Sequence, residues 1–217
     1  MKENKAEKVA KRVLPIYRAT LDAWAEGVSD AGEVSCRKGC HHCCHNLVSA
    51  SLAEGALVAS HLFKEGFISR YKDRLNDTAR KAESVDGPNA EHDYLSSKTP
   101  CAFLDDGECS IYGLRPSACR SYLVVTDPEM CSPERAGTTV GRVDASTAVR
   151  VFVDCLIRET HPTIPMVVGS FPAVVLAGLE LVQRSPGSFK RWMARSELFE
   201  SVESASANRT VTDQGNG

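Results

Sequence analysis

Between Cys36 and His45 the chain reads Cys36-Arg37-Lys38-Gly39-Cys40-His41-His42-Cys43-Cys44-His45, placing four of its nine cysteines and three of its six histidines within ten residues. Thiolates spaced by two or three residues converge on one metal centre when a tight turn brings their sulfurs within ligand distance. Gly39 and the helix-poor run from Arg37 to His42 suit such a turn. A second group, Cys101, Cys109, Cys119 and Cys131, follows over about thirty residues. Eight thiols can make two four-thiolate zinc sites, one iron–sulfur cluster plus a zinc site, or a single cluster with spare ligands. Adjacent Cys43 and Cys44 are expected to point different ways, leaving one for a second metal or as an exchanging thiol. A c-type haem is excluded, because Cys40-His41-His42-Cys43 is followed by Cys44 and not by His.

A four-thiolate zinc centre carries a formal charge of about −2, so cations and backbone donors must stabilise it. Arg115 and Arg120, which bracket Cys119, are the candidates; Arg37 and Lys38 read equally well as surface charge. His41, His42 and His45 are candidate ligands, proton carriers or solvated side chains. Cys155 lies inside an apolar helical pattern and reads as an inert core residue.

These residues carry a resemblance. Cys36-x3-Cys40-x2-Cys43-Cys44-His45, Pro100-Cys101-x-Phe103-Leu104, Gly107-x-Cys109-x-Ile111-Tyr112 and Arg115-Pro116-x2-Cys119-Arg120 together resemble the YkgJ-like CxxCxxCC family of zinc- or iron-chelating proteins. The first gap is three residues where the family's label has two. The resemblance spans Ser35 to Cys131 and implies a domain holding zinc or an iron–sulfur cluster through Cys36, Cys40, Cys43, Cys44, Cys101, Cys109, Cys119 and Cys131. The flagellin lysine N-methylases share a similar cysteine pattern, which implies protein lysine N-methylation as an alternative activity. No Gly-rich strand–turn–helix that would cradle S-adenosylmethionine in the usual α/β manner is visible.

The bulk properties frame this centre. The chain has 217 residues and a net charge of −2, enough to bury a core without disulfides and with no basic field for nucleic acid or anionic lipid. Its polar amphipathic start has no apolar signal core, so a cytosolic location is expected. There, clustered cysteines serve metal or redox chemistry more often than structural disulfides.

The expected fold is mainly α, with helices around cysteine-rich loops and one small hairpin: a single domain over 1–195 (motif core 35–131), then a disordered tail over 196–217. Apolar residues at helical spacing from Lys5 to Glu26 predict an amphipathic helix kinked at Pro15, ended by a loop over Gly27–Gly32. Ser51-Leu52-Ala53-Glu54 predicts a capping box and Gly66 a helix stop. Phe67 to Val85 predicts a second helix whose Arg70 and Arg74 lie on a solvated face, and Asp86 to Lys98 a polar connector. Around Asp105-Asp106-Gly107 a hairpin with a three-residue loop is preferred, pairing Phe103 with Cys109 and setting Cys101 on the same face. Pro116 and Asp127-Pro128 each open a short turn, bearing Cys119 and Cys131. Asp144 caps a helix to about Glu159. The apolar run from Pro162 to Val182 predicts a buried helix from Phe171, not a membrane span, and Phe189 and Trp192 a last short helix. No internal repeat is visible.

Overall fold

The computed structural model describes residues 5–30, 32, 34–37, 39–160 and 167–183. The expected helix at Phe189 and Trp192 and the tail from 196 lie outside them. The fold is mainly α, with two small antiparallel two-stranded sheets among the described residues.

The N-terminal segment forms α1 (Lys5–Ile16), a π-helical turn (Tyr17–Asp22) and α2 (Ala23–Asp30). Pro15 sits in the last turn of α1. It has no N–H for the i→i−4 ladder, and the backbone winds into the wider π register two residues on. The helix continues through Gly27, where a loop is expected. A penalty of about 1 kcal/mol for glycine in a helix is too small to end it.

The spine of the molecule is a pair of strand–helix units. Strand β1 (Ser49–Ser51) runs into α3 (Leu52–Lys64), and strand β4 (Val168–Ser170) into α8 (Phe171–Gln183). The strands pair antiparallel, Ala50 opposite Gly169. The Leu52 N–H donates to the Val167 carbonyl at 2.8 Å and the Phe171 N–H to the Val48 carbonyl at 2.7 Å. Each helix thus starts on the residue preceding the other's strand, an approximate two-fold that no sequence repeat announces. Helices α3 and α8 cross at glycines. A Cβ at Gly55 would lie 2.2 Å from the Val174 carbonyl oxygen, and one at Gly178 would lie 2.7 Å from the Gly55 oxygen.

The capping box forms: Ser51 Oγ accepts from the Glu54 N–H at 3.3 Å, and Glu54 Oε2 accepts from the Ser51 N–H at 2.7 Å. At the other end of α3 Gly66 is left-handed, and the Phe67 N–H donates back to the Leu62 carbonyl at 2.9 Å, the Schellman arrangement expected of a glycine stop.

Each face of the spine carries a core. On one, Val13 and Leu21 pack with Leu52, Leu57, Leu181 and with Phe152 and Leu156 of α7 (Ser146–Thr160). Asp144 Oδ1 caps α7 by accepting from the Ser146 N–H at 2.8 Å. On the other, Val58, Leu62, Phe171 and Val174 pack with Tyr71 and Leu75 of α4 (Ile68–Glu83) and with Phe103 and Ile111. Phe103 is 1% exposed, a burial contributing roughly 1.5–3 kcal/mol. Its ring centroid lies 5.2 Å from Tyr71 and 5.7 Å from Phe171. It seats the cysteine loops on the spine.

Two expectations change on this face. The connector after Gly87 contains a helix, α5 (Ala90–Ser96), which buries Tyr94. Arg70 and Arg74 of α4 are not idle surface charges: with the Tyr71 hydroxyl (2.6 Å) they converge on Asp105, at 3.0 and 2.5 Å. Burial works to raise the Asp105 carboxyl, but these hydrogen bonds and the two guanidinium charges outweigh it and hold the group below the usual aspartate range.

Candidate metal centre

The first cysteine group is a chain of tight turns. The Cys36 sulfur accepts from the Val124 N–H at 3.4 Å, and the Ser35 N–H donates to the Val124 carbonyl at 2.7 Å. Gly39 is left-handed (φ +86°), and the Cys40 N–H closes the turn onto the Arg37 carbonyl at 3.1 Å. A 3₁₀ turn over His42–His45 then carries Cys43 and Cys44. Contrary to expectation, these neighbours do not diverge. Both line the same cavity, and Cys44 is the first cause of the upward shift at the Cys43 thiol. Positions in a 3₁₀ turn are rotated by about 120°, an angle their short side chains can close.

The second group docks by main chain: the Cys101 N–H donates to the Cys44 carbonyl at 2.7 Å. The hairpin beyond it corrects the preferred register. Strand β2 (Leu104–Asp105) pairs with β3 (Glu108–Cys109), Leu104 opposite Cys109, around a two-residue turn of Asp106 and Gly107, both at positive φ. This is the turn type whose twist suits a hairpin. Cys101 and Cys109 still meet, because residues 101–104 fold as a turn (Leu104 N–H to Cys101 carbonyl, 3.0 Å) and not as strand. Strand alternation therefore does not reach Cys101.

Helix α6 (Ser117–Arg120), opened by Pro116, presents Cys119. Its Ser117 N–H donates to Glu54 Oε1 at 2.7 Å, so the carboxylate that caps α3 also anchors this turn. The Asp127-Pro128 device forms as read: Asp127 Oδ1 accepts from the Glu129 N–H at 3.0 Å, and Cys131 is buried on the turn that follows.

Six cysteines, Cys40, Cys43, Cys44, Cys101, Cys109 and Cys119, line one cavity of about 380 Å³. Cys36 and Cys131 stand within electrostatic reach of Cys40 and Cys43. Among the described residues, none of the clustered histidines lines that cavity, and Cys155 sits apart on α7. All nine cysteines are free thiols. Burial pushes the Cys101 and Cys131 thiols up to about 11, with neighbouring thiols adding to it, and raises Cys119 well above its ordinary value. Cys43 is raised first by the neighbouring Cys44 thiol and then by burial.

Other groups favour thiolate. The Val124 N–H donates to the Cys36 sulfur, and the backbone at Phe103 and Ile111 works to lower the Cys101 and Cys109 thiols. The Arg115 guanidinium works against the upward shift at Cys36, Cys43, Cys109 and Cys119 alike, and Arg74 does so at Cys101. A thiolate-bound cation completes such a balance, so the donor set fits a metal. No group of three or more Cys, His, Asp or Glu side chains among the described residues stands ready to hold an ion without rearrangement.

Residues 35–136 match the CxxCxxCC family model, described as "Putative zinc- or iron-chelating domain". The match covers just under half of the 217 residues and ends shortly after Cys131. No curated protein and no solved structure matches the chain. The spine helix α8, the strand β4 and the whole N-terminal helix lie outside the matched domain, although they pack against it. No described helix is long and apolar enough to cross a membrane.

Sequence reasoning missed Glu54 as an anchor of α6, Arg74 as a cation acting on Cys101, and Asp22, which pairs with Arg120. Only Glu54 had a signal in the sequence, and its capping role accounted for that signal.

Proposed function

We propose that this chain is a cytosolic metal-centre protein, holding zinc or an iron–sulfur cluster for a structural or redox role and acting on neither nucleic acid nor membrane. The observation that carries the reading is the convergence of thiols from separate turns of the chain on one cavity, with Arg115 as their shared cation. The proposed ligands come from Cys36, Cys40, Cys43, Cys44, Cys101, Cys109, Cys119 and Cys131, with the sulfur-directed N–H groups offsetting their charge. Zinc there cross-links the loops; an iron–sulfur cluster supplies one-electron transfer. Binding releases protons, because the thiols are held neutral without metal. Anaerobic purification with iron, sulfide and zinc analysis and a visible spectrum tests this: stoichiometric metal is expected, and a folded protein that takes up none sinks it.

A second reading, protein lysine N-methylation dependent on the centre, draws on the cysteine pattern shared with flagellin lysine N-methylases. The cavity favours it by extending past the thiols to Val48, Tyr94 and Phe171, more room than one zinc ion needs. Calorimetric titration of the metal-loaded protein with S-adenosylmethionine decides it, absence of heat counting against the activity.

A further inference from the structure

The loop from Gly113 to Arg120 holds two parts of the centre, Arg115 and Cys119. Arg120, 5% exposed, organises it from behind. Its Nε donates to the Arg115 carbonyl at 2.9 Å, and one terminal nitrogen donates to the Gly113 carbonyl. The other terminal nitrogen leaves the loop and pairs with Asp22. A guanidinium presents its donors as a rigid planar fork, so fixing one arm fixes the other two contacts. Asp22 is the last residue of the π-helical turn, and α6 packs on that turn. A π turn shifts the face a helix presents and often marks a functional position.

We infer that Asp22, which precedes the matched domain, is a positioning residue of the thiol centre, acting through Arg120 on the loop that carries Arg115 and Cys119. The inference rests on the metal-centre reading above. The Asp22 carboxylate touches no thiol. It holds the guanidinium, the guanidinium holds two carbonyls, and those set where the Arg115 charge and the Cys119 sulfur stand. Removing an outer partner of a metal ligand typically weakens binding 10–100-fold, and the same loss is expected here.

The test uses the full chain with zinc as probe, its affinity read by competition with a chromophoric chelator. Asp22→Asn is expected to bind zinc 10–100-fold more weakly, while Asp22→Glu, which keeps the charge, retains most of the affinity. In the metal-free protein Asp22→Asn should also speed alkylation of Cys119 by iodoacetamide, located by peptide mass. Should Asp22→Asn not fold, Arg120→Lys carries the test, since an ammonium cannot reach both carbonyls and Asp22 together; it is expected to lose affinity while Asp22→Glu keeps it. A variant that melts lower but binds zinc as tightly as wild type, with unchanged Cys119 alkylation, overturns the positioning role alone. A wild-type chain that takes up neither zinc nor iron overturns the metal reading and this inference with it.

Discussion

The α3–α8 spine and the thiol loops are joined at Phe103 and held by opposite means. In the spine, glycines let two helices approach until backbone meets backbone, and apolar side chains fill both flanks. That crossing is made of backbone and apolar side chains and needs no metal. In the loops, order comes from single hydrogen bonds, ion pairs and left-handed glycines, around thiols that burial and mutual proximity make unwelcome as anions. The spine is finished by packing; the loops, on the metal-centre reading proposed above, are finished by a ligand. Metal removal should therefore loosen residues 36–48 and 101–131 and leave α3 and α8 protected.

The sharpest way to break this contrast is Gly178→Val. With backbone atoms under 3 Å from the new Cβ, the helices must separate, at a cost of about 3 kcal/mol or more, read by urea unfolding with and without metal. Equal stability of the variant and wild type would mean that the close crossing is not what holds the spine.

Next in size is Cys119→Ala. It should cut metal stoichiometry or affinity by orders of magnitude while helical circular dichroism persists, whereas Cys155→Ala should retain metal and cost within ~1 kcal/mol. Equal retention in both would remove Cys119 from the ligand set. Asp105→Asn sits on the seam between the regions and should cost about 1–2 kcal/mol at neutral pH. Its sign with pH is fixed: the folded carboxyl is held below its unfolded value, so its contribution is present above about pH 4 and fades as pH falls through the folded value. The gap between variant and wild type should narrow on acidification, and a gap that widens contradicts the assignment. The smallest effect is expected for Glu54→Gln, about 1 kcal/mol, seen chiefly as faster exchange of the Ser117 amide.

Local chemistry was readable where it is written in adjacent residues. Ser51 and Glu54 announce their box, Asp127 and Pro128 their turn, Gly66 its stop, and the cysteine spacing the tight turns that bring cysteines to one cavity. What was not readable depends on distant partners. Whether Cys101 faces Cys109 depends on a turn at 101–104 that two-residue periodicity cannot see. Strand β4 exists because β1 lies beside it, and nothing in Val168-Gly169-Ser170 says so. Helix α5 has too few apolar residues to declare itself until Tyr94 finds the cavity. Arg74 looks solvated until Asp105 arrives from another segment.

The paired strand–helix arms have a consequence for how the chain is made. Ser49 pairs with Ser170, and the second cysteine group, from Cys101 to Cys131, is made between these two arms. During translation the proposed ligands emerge before the second arm does, so the nascent chain carries uncovered sulfurs until α8 clears the ribosome. Oxidation or capture of a wrong ion is a hazard of that interval.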